Sequence, residues 1–129
     1  MFGNKLDTIE GTFTKDMIPD QDITIDLRLT LEEMDQILSK MEEIDFFSYP
    51  DVFRIEVPAG RSMGMVTPYE SYSFEVTYGS IKKELLWNDE IIYQDEKADQ
   101  LRELINLIRS IVESKEEYKS LPESKGGYM

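Results

Sequence analysis

Tyr72-Ser73-Phe74-Glu75-Val76-Thr77-Tyr78-Gly79-Ser80-Ile81-Lys82-Lys83-Glu84-Leu85-Leu86-Trp87 is the stretch on which the fold turns. Tyr72, Phe74, Val76 and Tyr78 alternate with polar residues, and the alternation resumes at Ile81, Lys83, Leu85 and Trp87. A period of two belongs to a strand with one wet face. Gly79-Ser80 between the two runs suits a type II′ turn, because glycine accepts the positive φ of the first turn position. A loop this short dictates register: Tyr78 opposite Ile81, Val76 opposite Lys83, Phe74 opposite Leu85 and Tyr72 opposite Trp87. Only Lys83 interrupts the apolar pairing. On the outer side Glu75 falls opposite Glu84, a like-charge pair that costs a little. The inward aromatics, Trp87 above all, are expected to be core rather than an exposed platform, since aromatic rings dominate core burial.

The flanking sequence extends this frame. Ile23, Ile25, Leu27 and Leu29 alternate with Thr24, Asp26 and Arg28, which predicts a second half-wet strand. Thr30-Leu31-Glu32-Glu33 follows as a capping box, in which Thr30 and Glu33 each satisfy an orphan amide of the other. The stripe Leu31, Met34, Ile37, Leu38, Met41 and Ile44 predicts a helix that stops before Pro50. Residues 7–17 alternate loosely and predict one strand, with Gly11 as a bulge or a point of close backbone approach; 18–22 predict a turn. Val52–Val57 predicts a short strand, Asn88-Asp89-Glu90 a turn, and Ile91-Ile92-Tyr93 a fragment of edge strand. From about Asp95 to Lys119, the set Ala98, Leu101, Leu104, Ile105, Ile108, Ile111, Val112 and Tyr118 predicts one long helix. The expectation is therefore a single α+β domain over residues 1–129, in the order ββαβββα. An antiparallel sheet of about four to five strands is covered on one face by two helices, with loose ends at about 1–6 and 123–129.

Composition narrows the chemistry. Of 129 residues, 27 are Asp or Glu and 14 Lys or Arg, a net charge of −13, and neither His nor Cys occurs. Imidazole catalysis, thiol nucleophiles, disulfides and Cys/His zinc sites are excluded. The negative charge repels a phosphate backbone and biases the surface toward cationic partners, so no nucleic-acid partner is expected. No apolar run is long enough to span a membrane, and Met1–Asp7 does not resemble a signal peptide.

The abundant carboxylates form adjacent pairs at Glu42-Glu43, Asp89-Glu90 and Asp95-Glu96, which are expected to be solvated surface rather than acid/base machinery. Asp20-Gln21-Asp22 opens like a calcium loop, but Ile23 and Thr24 stand where a ligand and glycine belong; Asn88-Asp89-Glu90 lacks the glycine too. No catalytic residue, cofactor or metal site is expected.

Residues 58–68 are expected to form a loop, and Met63, Met65 and Val66 are apolar where a simple connection would be polar. Two readings compete. In the one expected of ordered loops, Met63 and Met65 fold back to plug the end of the core. In the other, Arg61, Met63, Met65, Val66 and Tyr69 form an exposed contact for a protein partner.

Gly11–Met17, Ile44–Pro50, Tyr72–Lys82 with Trp87, and the ending Glu117–Pro122 with Lys125-Gly126-Gly127-Tyr128 together resemble a family of small proteins of Bacillus-type bacteria. Many of its members look like lipoproteins whose export signal and lipidated cysteine lie upstream of this domain. The resemblance implies an extracytoplasmic domain anchored by lipid, the alternative being a small cytoplasmic protein. In its helix running into Asp45-Phe46-Phe47, its hairpin and its last helix, the chain is more distantly similar to emfourin, a proteinaceous inhibitor of thermolysin-type metalloproteases. No inhibitory contact residue carries over. The expected function is a non-enzymatic, acidic, protein-binding domain of the cell envelope, with metalloprotease inhibition as the alternative.

Overall fold

A computed structural model describes residues 4–17 and 21–122. The fold is α+β and divides into two compact units. Among the described residues, those up to Leu38 and from Ile105 onward form one, and Ser39–Leu104 the other.

The first unit is built on an antiparallel sheet of β1 (Lys5–Asp7), β2 (Thr12–Lys15) and β3 (Ile23–Asp26), in that order. The expected single strand over 7–17 is instead a turn followed by a strand. Asp7 Oδ1 accepts from the amides of Ile9 and Glu10 at 3.0 and 2.9 Å, which reverses the chain. Gly11 closes that turn with φ +71°, its amide donating to the Asp7 carbonyl at 2.9 Å, so it belongs to a turn rather than a bulge. The close approach expected there is present, since a Cβ would come within 2.8 Å of the Arg28 side chain. Lys5 and Leu6 pair with Thr14 and Phe13; residues 1–3 of the loose end expected over 1–6 lie outside the described residues. Residues 18–20 of the expected turn, and the expected tail 123–129, lie outside the described residues.

The alternation over 23–29 is as expected: Leu27 is buried, Ile23, Ile25 and Leu29 are half-buried, and Thr24, Asp26 and Arg28 are exposed. Phe13, Leu27 and Val112 form the unit's buried cluster, ringed by Leu6, Ile25, Leu29, Tyr118 and Leu121. Phe13 meets Tyr118 edge-on at 5.6 Å between centroids.

Helix α1 (Leu31–Glu43) opens on the predicted box. The Thr30 amide donates to Glu33 Oε1 at 2.8 Å and the Glu33 amide to Thr30 Oγ1 at 3.1 Å. Ile37, Met41 and Ile44 are buried as expected, but Leu31 is 85% exposed. Met34, another member of the expected stripe, is 40% exposed. Leu31 is the first residue of the helix and, at about 100° per residue, lies at the edge of that stripe, roughly 120° round from Ile37. The expected last helix is two: α2 (Glu96–Glu113) and α3 (Glu116–Lys119). Lys115 leaves helical geometry between them (φ −77°, ψ 139°), and its ammonium bonds the Glu33 carboxylate.

In the second unit α1 stops at Asp45, which takes a left-handed conformation (φ 59°) before a 3-10 turn over Phe46–Ser48. The sheet comprises β4 (Val52–Phe53), β5 (Gly64–Tyr78) and β6 (Ile81–Ile92), in the order β4-β6-β5. The hairpin register is the predicted one at every pair from Tyr72↔Trp87 to Tyr78↔Ile81, with Gly79 at φ +61°. Lys83, the exception to the apolar pairing, donates to the Tyr49 carbonyl and to Asp51 Oδ1, the latter at 3.0 Å.

Further expectations are corrected. The strands form two three-stranded sheets rather than one antiparallel sheet of four to five, and β4 runs parallel to β6. Alternation reveals a strand's faces but not its neighbour's direction. The strand expected over 52–57 pairs only at Val52 and Phe53, although Phe53 and Ile55 are buried as its inner face requires. Asn88–Glu90 is not a turn: β6 continues through it because β5 begins at Gly64 and supplies partners as far as Ile92.

The aromatic face of the hairpin is core at Trp87, 2% exposed, and half-buried at Tyr72 and Phe74, whereas Tyr78 is 46% exposed and stacks on Phe47. Within this unit Ala98, Leu101 and Leu104 of α2 are fully buried, and Tyr49 donates its hydroxyl to the Lys97 carbonyl at 2.6 Å.

Candidate functional site

The apolar segment that begins at Met63 is held by backbone geometry on both sides. Upstream, the Arg61 amide donates to the Pro58 carbonyl at 3.1 Å and Gly60 takes φ +84°, a tight turn that needs glycine at its third position. Downstream, Gly64 pairs with Ile92 and Met65 with Ile91, so the expected loop over 58–68 becomes strand from Gly64. A Cβ on Gly64 would stand 3.3 Å from the Ile92 side chain, which explains a glycine at this crossing.

Beyond Met65 the ladder slips. The next pair is Glu70↔Asp89, so Val66, Thr67, Pro68 and Tyr69 of β5 stand against Glu90 alone. The Thr67–Pro68 peptide within this bulge is cis.

The reading in which Met63 and Met65 plug the core is overturned: they are 46% and 58% exposed, with Val66 at 41% and Tyr69 at 43%. Arg61 is exposed as well. Val66 and Tyr69 lie in the bulge, where four residues of β5 stand against Glu90 alone; Met65 is exposed although its backbone pairs with Ile91, and Met63 precedes the strand.

Beside this segment lies an open depression of about 430 Å³. It is lined by Val66 of β5, by Asp89, Ile91 and Ile92 of β6, by Tyr93 and Gln94, and by Asp99 and Arg102 of α2. Arg102 organises the polar part. Its Nε and Nη2 donate to the two carboxylate oxygens of Asp89 at 3.1 and 2.8 Å, and its Nη1 donates to Asp99 Oδ1 at 2.9 Å. The guanidinium also lies 5.2 Å from the centroid of Trp87. Hydrogen bonding to Asp89 first of all, against the cost of burial, holds the Arg102 pKa above its ordinary value. Two carboxylates share one guanidinium here, leaving a local excess of negative charge.

The acidic pairs singled out in the sequence do not converge. Glu43 is paired with Lys40 at 2.6 Å, Asp89 is committed to Arg102, and Asp95 caps α2 by accepting from the Ala98 amide at 2.9 Å. Among the described residues no three acidic side chains come together as a metal site would require. No helix of the described residues is long and apolar enough to cross a membrane.

Sequence reasoning reached the apolar segment but missed the depression. Asp99 and Arg102 carry a readable signal, an i,i+3 ion pair on a helix. Asp89 carries none until the chain folds back between Ile92 and Glu96. In comparisons with known proteins, no family model matches the chain, no curated protein matches it, and no solved structure matches it.

Proposed function

We propose that this chain is a non-enzymatic, acidic protein-binding domain whose contact surface is the segment carrying Arg61, Met63, Met65, Val66 and Tyr69. The observation that carries this reading is the exposure of four large apolar side chains within seven residues, on backbone registered to β6 at both ends of the bulge. Single exposed apolar residues are ordinary on any surface, whereas a contiguous group is characteristic of interaction sites. Methionine suits such a role because its unbranched, polarisable side chain adapts to irregular partners. The lack of any imidazole or thiol supports a role without catalysis, as do the structural duties of Asp89 and Asp95. A place in the cell envelope, held there by a lipid anchor, belongs to the same proposal and rests on the family resemblance.

The test is capture of partners from envelope and cytosolic extracts by immobilised protein, with the double substitution Met63→Ser and Met65→Ser as comparison. Both side chains are exposed, so the substitutions should leave the melting temperature within a few degrees. The expected result is a protein retained by the wild type and lost by the variant, from the envelope extract. Equal retention by the two would sink the reading.

A further inference from the structure

We infer that the partner segment seated on this surface is cationic as well as apolar: a Lys or Arg enters the depression between Val66 and Asp99, and a neighbouring apolar side chain lies on Met65 and Val66. This deepens the protein-binding reading and rests on it.

Three observations converge. The lining of the depression joins apolar Val66, Ile91 and Ile92 to the carboxylates of Asp89 and Asp99, so it offers a long aliphatic stem and a cationic head the surfaces each prefers. Its carboxylates exceed its cations: Arg102 is divided between Asp89 and Asp99, and the Asp99 side chain is 57% exposed, open to a second donor. The imbalance also extends beyond the depression. Between Asn88 and Glu103 six carboxylates stand against Lys97 and Arg102, within a chain of net charge −13. A field of this sign steers a basic segment in and turns an acidic one away. It also disfavours a second copy of this chain as the occupant.

The probe is a short acetylated and amidated peptide alternating Lys or Arg with Leu; a peptide of the same length alternating Glu with Leu is the control. Binding is followed by the methyl signals of the methionines in a carbon-13 spectrum. The basic peptide should shift Met63 and Met65 and leave the buried Met17 and Met41 in place. Its affinity should fall roughly tenfold between low salt and about 0.5 M salt, as expected of exposed charge pairs. Asp99→Asn should weaken it about threefold, and Val66→Lys, which places a cation in the seat, roughly tenfold. Both positions are at least partly exposed, and retained melting temperatures establish that the variants are folded.

Equal binding of the acidic peptide overturns the inference. So does binding that leaves Met63 and Met65 unshifted, or the absence of binding by the basic peptide. If that happens while extract capture still depends on Met63 and Met65, the docking surface stands and only the cationic class of partner is wrong. If capture is independent of the methionines too, both fail.

Discussion

Arg102 covers the ring of Trp87 at 5.2 Å while gripping both carboxylate oxygens of Asp89, so one side chain lies against the core of its unit and also lines the surface depression. Packing and recognition therefore share a residue. Replacing it should be felt in both.

Arg102→Ala should destabilise the protein by about 1 kcal/mol, a modest figure because the side chain is partly exposed and water screens its pairs. Trp87 fluorescence should shift to the red as the indole loses its cover. An unshifted emission maximum would show that other side chains seal the ring. The chain has a single tryptophan, so the signal has one source.

The capping box can be read through pH. The Glu33 carboxyl is held below the usual carboxylate range, first by its hydrogen bond to Lys115 and then by the Thr30 amide. A depressed folded-state pKa contributes stability that is present above the unfolded value and is lost as pH falls through the folded one. Wild type and Glu33→Gln should thus differ most near neutrality and converge in acid. Thr30→Ala, which removes the other half of the box, should cost about 1 kcal/mol with a weaker pH signature, because the Thr30 hydroxyl is the least of the influences that hold Glu33 low.

Tyr49 works at the opposite end of the scale. Burial, then the charges of Asp95 and Asp45, push its phenol from 10.0 up to about 12. A raised folded-state value means that stability is fully present below the unfolded pKa and is lost as pH rises through the folded one, here between 10.0 and about 12. Alkaline titration of tyrosine absorbance should show one phenol ionising late, and Tyr49→Phe should remove it. The substitution should cost about 1 kcal/mol near neutrality for the bond to the Lys97 carbonyl.

Lys83 tests why an ammonium sits among apolar pairs. Its side chain is 10% exposed and donates to the Tyr49 carbonyl and to Asp51. Lys83→Met keeps the aliphatic stem but leaves that carbonyl without its donor, which should cost about 1–3 kcal/mol in urea unfolding with an unchanged m-value. Asp51→Asn should cost far less, because Asp51 is 82% exposed.

What the sequence disclosed was local. The 72–87 register, the Thr30–Glu33 box and the faces of Ile23–Leu29 follow from contacts a few residues apart, or across a turn whose length leaves one alignment. What it hid was long-range. Nothing in Val52 or Phe53 announces a parallel neighbour, and Asn88–Glu90 resembles a turn until Ser71 and Glu70 arrive opposite. The reversal at Asp7–Gly11 was local too, but the loose alternation of Phe13, Lys15 and Met17 masked it. At the candidate site, the residue types of Met63 to Tyr69 were legible, whereas the place where the β6 ladder slips, between Met65 and Glu70, was not. Asp89 and Arg102 are thirteen positions apart and meet only once the chain has folded back.

The slip between Met65 and Glu70 has an evolutionary corollary. Val66 to Tyr69 answer to one residue of β6, while Gly64 and Met65 on one side and Glu70 onward on the other are fixed by their own partners. Residues can be gained, lost or exchanged within that interval without shifting the pairing of the hairpin. Descendants of this chain could therefore change what they grasp while inheriting the scaffold intact.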